Sequence, residues 1–276
     1  QEPLEDALLE MEVNIGEGAI SILAFVRDGE RVHIENLHQF QGNFEAFLKN
    51  FNRFSQTALE KKFGQKVTLF FSEHQALSGE IVALAEARKL SQKEFTELAD
   101  QMNIMIDQSL SPSPVETTSG PSVRRDAALL MKISFHRIFS TILSYVIQHE
   151  PATKTKISKA KSAFLKWKNI YAKSGLSPSA RTSLNEIDRK YQQISTSGKD
   201  VIRTTDQLQK KLERFEKGLL RIRRILNEDI QPLIRQDTEK TAEDAIYHGA
   251  VALSVTLALT LFVLMAMGVV TWFTTR

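Results

Sequence analysis

Residues 11–26, MEVNIGEGAISILAFV, return 120 positions later as residues 131–146, MKISFHRIFSTILSYV. Met11 is echoed by Met131, and Ile22-Leu23 with Phe25-Val26 by Ile142-Leu143 with Tyr145-Val146. Further along, Val67, Phe71 and Ile81 are matched by Ile187, Tyr191 and Val201 at the same offset. Between these blocks Ala46-Phe47-Leu48-Lys49 resembles Ala163-Phe164-Leu165-Lys166, an offset of 117 that implies a three-residue gap. The common order of the matches reads as a tandem duplication, and a repeat of this kind governs the whole fold.

Strand patterns are nearly absent, and the apolar period is helical throughout. Each repeat reads as three helices. In the first they run about 4–26, ended by Arg27-Asp28-Gly29, then 34–62, ended at Gly64, then 65–109. In the second they run about 122–149, 152–173, and onward from Pro178. The last helix carries an apolar seam at Leu184, Ile187, Tyr191, Ile194, Val201, Leu208, Leu212, Phe215, Leu219, Ile222 and Leu226, in steps of three and four or their sums. A Pro/Ser/Thr/Gly segment, residues 111–121, links the repeats. At a rise of ~1.5 Å per residue the two short helices of a repeat together match the long one. This predicts an all-α fold of six helices in two stacked four-helix layers sharing two long helices. The first short helix of each repeat would lie in one layer and the second in the other. A transmembrane helix would follow.

That span is Ala250 to Phe273, AVALSVTLALTLFVLMAMGVVTWF, without a charged residue. It exceeds the ~20 apolar residues that a bilayer-crossing helix needs. Trp272 and Arg276 sit at its far edge, which favours Arg276 on the cytoplasmic side and the bulk outside. The expected organisation is therefore 1–110 and 122–245 as the two repeats and 246–276 as the span and its flanks. The start at Gln1 and the end just past the span read as the borders of a fragment, with another span expected before Gln1.

A helical module beside a membrane span resembles the helical bimodular sensor regions of bacterial transmembrane receptors, found in chemoreceptors and sensor histidine kinases. The residues that carry the likeness are Leu9-Glu-Met-Glu-Val-Asn14, Ile22-Leu23-Ala-Phe25-Val26 and Arg27-Asp28, then Asn43-Phe44-Glu45 with Phe47 and Phe51. The resemblance implies an inner-membrane protein with residues 1–249 periplasmic or extracellular, and a homodimer. It would bind a small anionic ligand or a periplasmic binding protein and move its last helix across the membrane. A syntaxin-like, tail-anchored bundle that assembles through its heptads is the alternative from a different class.

No chemistry of catalysis is legible: there is no phosphate loop, no nucleophile elbow, no dinucleotide fingerprint and no cysteine. The six histidines lack metal-ligand spacing, and neither a metal nor a cofactor is expected. Residues 1–110 hold 10 Lys and Arg against 18 Asp and Glu, while the remainder holds 26 against 15. Lys210, Arg214, Lys217, Arg221 and Arg224 form a basic stripe, read as a solvated face or a docking face for an anionic partner. The implied compartment excludes nucleic acid. Polar residues that interrupt the seams are the ligand candidates, because burying them costs stability unless they are paired. These are His74, where the second repeat has Ile194, then Arg88, Thr205, and the neighbouring Arg203 and Arg137. Gly198 and Pro232 are candidates for relaying a motion along the last helix.

Overall fold

The structure, a computed structural model, describes residues 2–110, 122–236 and 246–247. The linker 111–121 and the apolar run Ala250–Phe273 lie outside the described residues. No described helix is long and apolar enough to cross a membrane. The described chain is all-helical, without a strand: α1 (Glu2–Asp28), α2 (Arg31–Phe54), α3 (Ala58–Leu110), α4 (Ser122–Gln148), α5 (Pro151–Ala172) and α6 (Pro178–Arg224). A π-helical turn, Ile225–Ile230, extends α6, and residues 231–236 return to the α form.

The repeat is visible in these bounds. Glu2, Arg31 and Ala58 open the helices of the first repeat, and Ser122, Pro151 and Pro178 open those of the second, each 120 residues on. The two helix reversals agree in backbone detail. Gly29 has φ +74° and donates its N–H to the Phe25 carbonyl at 2.8 Å; His149 has φ +55° and donates to Tyr145 at 2.9 Å. A left-handed residue after the last helical turn is a common C-terminal cap, and it turns the chain back on itself.

Buried aromatic pairs fix the register. Phe44 stacks on Phe71 at 4.1 Å between centroids and 16°, and its counterparts Phe164 and Tyr191 stack at 4.3 Å and 19°. Leu37, Phe44 and Phe51 are buried on α2, as are Ile157, Phe164 and Tyr171 on α5. The offset in this helix is therefore also 120, and the 117-residue match of Ala46–Lys49 to Ala163–Lys166 is corrected. The heptad of large buried residues sets the alignment, and no gap separates the helices.

A second correction concerns the break between α2 and α3, which falls at residues 55–57, ahead of Gly64. Thr57 and Glu60 form a capping box: Glu60 N–H donates to Thr57 Oγ1 at 3.1 Å, and Glu60 Oε2 accepts from Thr57 N–H at 2.9 Å. Gly64 lies inside α3, where a Cβ would come within 1.9 Å of Asn52 Oδ1. It permits close approach and ends nothing.

The chain divides into two compact units. Among the described residues one comprises 2–19, 36–74 and 218–236; the other comprises 20–35, 75–110 and 122–217. The core of the first joins Leu4, Leu8, Met11 and Ile15 of α1 to Phe44, Leu48 and Phe51 of α2. Val67 and Phe71 of α3 and Ile222 to Ile234, from the end of α6 onward, complete it. The main core of the second joins Met131, Phe135, Ile138 and Ile142 of α4 to Ile157 and Phe164 of α5. Phe95 to Ile106 of α3 and Ile187 to Val201 of α6 complete it. So each core holds both short helices of one repeat, folded as a hairpin, with a part of each long helix. This corrects the expectation that the first short helices would share one layer and the second another. The reason is the connection: a two-residue link with a left-handed residue reverses direction, whereas end-to-end stacking needs the chain to continue.

Removing Phe44 or Phe164 should cost about 3–5 kcal/mol in each case, the usual penalty for truncating a fully buried Phe. Native-state hydrogen exchange should show faster opening confined to residues 1–19, 36–74 and 218–236 for Phe44→Ala. Phe164→Ala should loosen the other unit alone, and equal loosening of both units by one substitution would contradict the separate cores.

Candidate functional site

The end of the first hairpin builds a cleft of about 870 Å³ against α3. Phe25 and Val26 are in the last turn of α1, followed by the cap at Gly29. Asp28 organises the reversal: its Oδ1 accepts the Glu30 N–H at 3.0 Å, and its Oδ2 contacts Arg27 at 3.2 Å and His33 at 3.3 Å. The Glu30 N–H bond, with help from Arg27 and His33, holds this carboxyl below its ordinary range against the opposing effect of burial. Lys89 lies across the turn, so that a Cβ on Gly29 would come within 2.9 Å of its Nζ. The positive φ favours glycine here, while the Lys89 ammonium, at the end of a flexible side chain, could move aside.

Arg88 is half-buried, and its Nη2 donates to the Val26 carbonyl at 2.6 Å. Cations are favoured at this end of a helix, where free carbonyls carry partial negative charge. Burial lowers the pKa of the guanidinium, which nevertheless stays protonated. Two cations at the cleft have carboxylate partners, Arg27 with Asp28 and Lys93 with Glu97. Arg31, Arg88 and Lys89 have none among the described residues, and Glu86 likewise lacks a cation. The surplus at the cleft is positive.

At the equivalent place in the second repeat the carboxylate has partners. Tyr145 Oη and Lys154 Nζ both donate to Asp206, the latter at 2.6 Å, and Lys154 stands 5.1 Å above the Tyr145 ring. Burial raises the Asp206 pKa, but the bonds from Lys154 and Tyr145 outweigh it and hold the carboxyl low. Leu208, counterpart of Arg88, is buried.

The other candidate residues are scattered. Arg203 is exposed and pairs with Asp200 of its own helix at 2.9 Å. It borders a shallow depression of about 390 Å³ with Lys199, Asp206 and Lys210. Thr205 is buried and donates to the Val201 carbonyl at 2.7 Å, one turn back. Arg137 is exposed on α4. A Cβ on Gly198 would lie 2.9 Å from Ile142 Cδ1 and 3.1 Å from the Phe95 ring, so this glycine serves close helix packing. Pro232 is exposed just after the π turn, and the Gln231 N–H reaches back five residues to the Leu226 carbonyl. The widened turn accommodates a ring that has no N–H to give and that crowds the carbonyl four residues earlier.

His74 belongs to the other unit and is buried there. It borders a void of about 10 Å³ with Asn14, Gly18 and Gln41, and a Cβ on Gly218 would lie 3.4 Å from its Nδ1. The Nε2 of Gln41 is buried without a protein acceptor, and the void is close to the smallest that holds one water. Burial pushes the His74 pKa down to about 4.

Of the residues singled out from sequence, Arg88 alone lies in the large cleft. Arg31 and Lys89 were not singled out, and Gly29 was read as the end of a helix without a link to a site. Reading the repeats at a constant offset would have pointed to the cleft, since Arg88 faces Leu208 in that alignment. Among the described residues no group of three or more His, Asp or Glu is placed to hold a metal ion. The sequence matches no family model and no curated protein.

The depressed pKa of His74 gives a pH-dependent stability. Between pH ~6.5 and ~4 the unfolded chain binds the proton and the folded chain does not. Stability contributed by neutral His74 is thus complete above ~6.5 and is lost as pH falls towards 4, on the order of 3 kcal/mol in all. Denaturant melts of wild type and His74→Ile, the residue of the second repeat, should show a shallower acid slope in the variant over this window. Parallel slopes would assign the acid sensitivity to other groups.

Proposed function

We propose that this chain is the sensing region of a bacterial transmembrane signalling receptor, which turns binding outside the cell membrane into displacement of its last helix. The observation that carries the reading is the double service of α6. Its side chains enter the core of one unit at Ile187–Val201 and the core of the other from Ile222 on. The sequence then continues towards the apolar run Ala250–Phe273, which has the length and composition of a membrane span. A change of packing in either core biases the position of this one helix. A ligand achieves that only by binding two packings with unequal affinity.

In this reading residues 1–249 lie outside the inner membrane, and the chain signals without catalysing a reaction itself. A homodimer is part of the proposal. Leu9, Val13, Ile20 and Leu23 are exposed along α1 in one heptad frame, with Val13 and Ile20 seven apart, Leu9 and Leu23 flanking them, and Gly16 at the seam position between. That pattern suits a two-stranded seam with the α1 of a second copy.

The chain has no cysteine, so introduced ones report without background. Single cysteines at positions 240–250 of membrane-embedded protein should form disulfides at rates that shift several-fold when a stimulus is applied. Rates unchanged under every stimulus that activates the intact receptor would refute the mechanism. Ile20→Cys should give a disulfide-linked dimer, while cysteine at buried Ile22 should not. Full release of the protein from membranes by alkaline carbonate would remove the membrane span from the proposal.

A further inference from the structure

At several equivalent positions the two repeats keep the same buried residue: Met11 and Met131, Ile22 and Ile142, Phe44 and Phe164, Phe95 and Phe215. At the hairpin end they part. The second repeat holds the Asp206 carboxylate between Tyr145 and Lys154 beside buried Leu208. The same four positions of the first repeat are Glu86, Phe25, Ile34 and Arg88. The carboxylate there has lost both donors, and a guanidinium has replaced an apolar side chain. Packing does not demand this, because leucine fills the equivalent position in the other repeat. Of the five N–H groups of Arg88, one bond, to the Val26 carbonyl, is made to the protein among the described residues.

The cleft beside Arg88 falls within the size range of small-molecule sites, and much of its wall is apolar: Phe25, Val26, Ala85, Leu90 and the stems of the lysines. An inorganic ion would leave most of this wall facing water. Glu86, a carboxylate without a cation, disfavours a second negative charge on the ligand. We propose that the cleft between the α1–α2 turn and α3 binds an organic monoanion with an apolar body. Its carboxylate would meet Arg88, supported by Lys89 and Arg31, and its ring or hydrocarbon would lie on Phe25, Val26 and Leu90. The inference rests on the sensing reading and gives it a site and a ligand class. Arginine suits the carboxylate because its planar fork donates two parallel bonds.

The test is calorimetric titration of the full chain in detergent micelles with 3-phenylpropionate, its neutral amide, acetate and inorganic phosphate. The first should bind about tenfold or more tightly than each of the others, since the amide lacks the charge and the small ions lack the body. Arg88→Leu should weaken 3-phenylpropionate by about tenfold or more with an unchanged melting temperature. Glu86→Gln should tighten it by about 2–5-fold, and this variant decides the matter if Arg88→Leu does not fold. Equal binding of acid and amide, or phosphate binding as well as 3-phenylpropionate, would overturn the proposal. So would 3-phenylpropionate affinity untouched by either substitution. The titration has no signalling readout, so its failure leaves the sensing reading to the cysteine crosslinks at 240–250. Binding with unchanged crosslinking would keep the site and discard the relay.

Discussion

The constraint on which this structure depends is length. α3 has 53 residues and carries apolar side chains along most of them, whereas the hairpin that precedes it in its own repeat has arms of 27 and 24. A hairpin of that reach covers about half of such a helix. The remainder must be buried by something else, and the other repeat supplies it: Phe95 to Ile106 of α3 enter the core built on α4 and α5. The end of α6 is covered in the same way by α1 and α2. Matching polar contacts accompany the exchange. Lys132 of α4 pairs with Asp107 of α3, and 120 positions away Asn227 donates to Glu12 of α1 at 2.9 Å. Neither repeat therefore buries its own long helix without the other.

Much of this was legible in the sequence. The helix count, the linker and the long seams follow from the apolar period, and Val67, Phe71, Ile187 and Tyr191 are core residues in the structure as they are in the seam. The partnership of helices was not legible from lengths, because two short helices match a long one whether they stack end to end or fold back. What decides is the φ of Gly29 and His149, and a histidine in that conformation gives no sequence signal. The register error in α2 has a related cause. Ala46-Phe47-Leu48-Lys49 is the more obvious string, but in the second repeat its counterpart by that match, Leu165, is exposed. Burial is carried by residues seven apart, which a search for identical strings passes over.

Polar residues in a seam proved to be of three kinds. Thr205 satisfies itself on its own helix and Gly198 makes room for Phe95 and Ile142, so both belong to packing. His74 is buried neutral beside a small void. Arg88 differs in facing both a helix end and an open cleft, and its difference from Leu208 is the informative quantity. A duplicated chain carries its own reference: a polar residue in one copy opposite a buried apolar residue in the other is one that the common packing does not require.

The π turn at Ile225–Ile230 has a consequence for the face that α6 buries. Up to Leu226 the seam advances by threes and fours, but beyond it the buried positions are Ile230 and Ile234, two steps of four in succession. One residue has in effect been added to the path, which at 3.6 residues per turn is an azimuth of roughly 100°. Heptad positions counted down from Leu184 therefore name the wrong face after Leu226. The change of face falls inside one core, which Ile222 and Leu226 enter on the heptad and Ile230 and Ile234 continue one residue later.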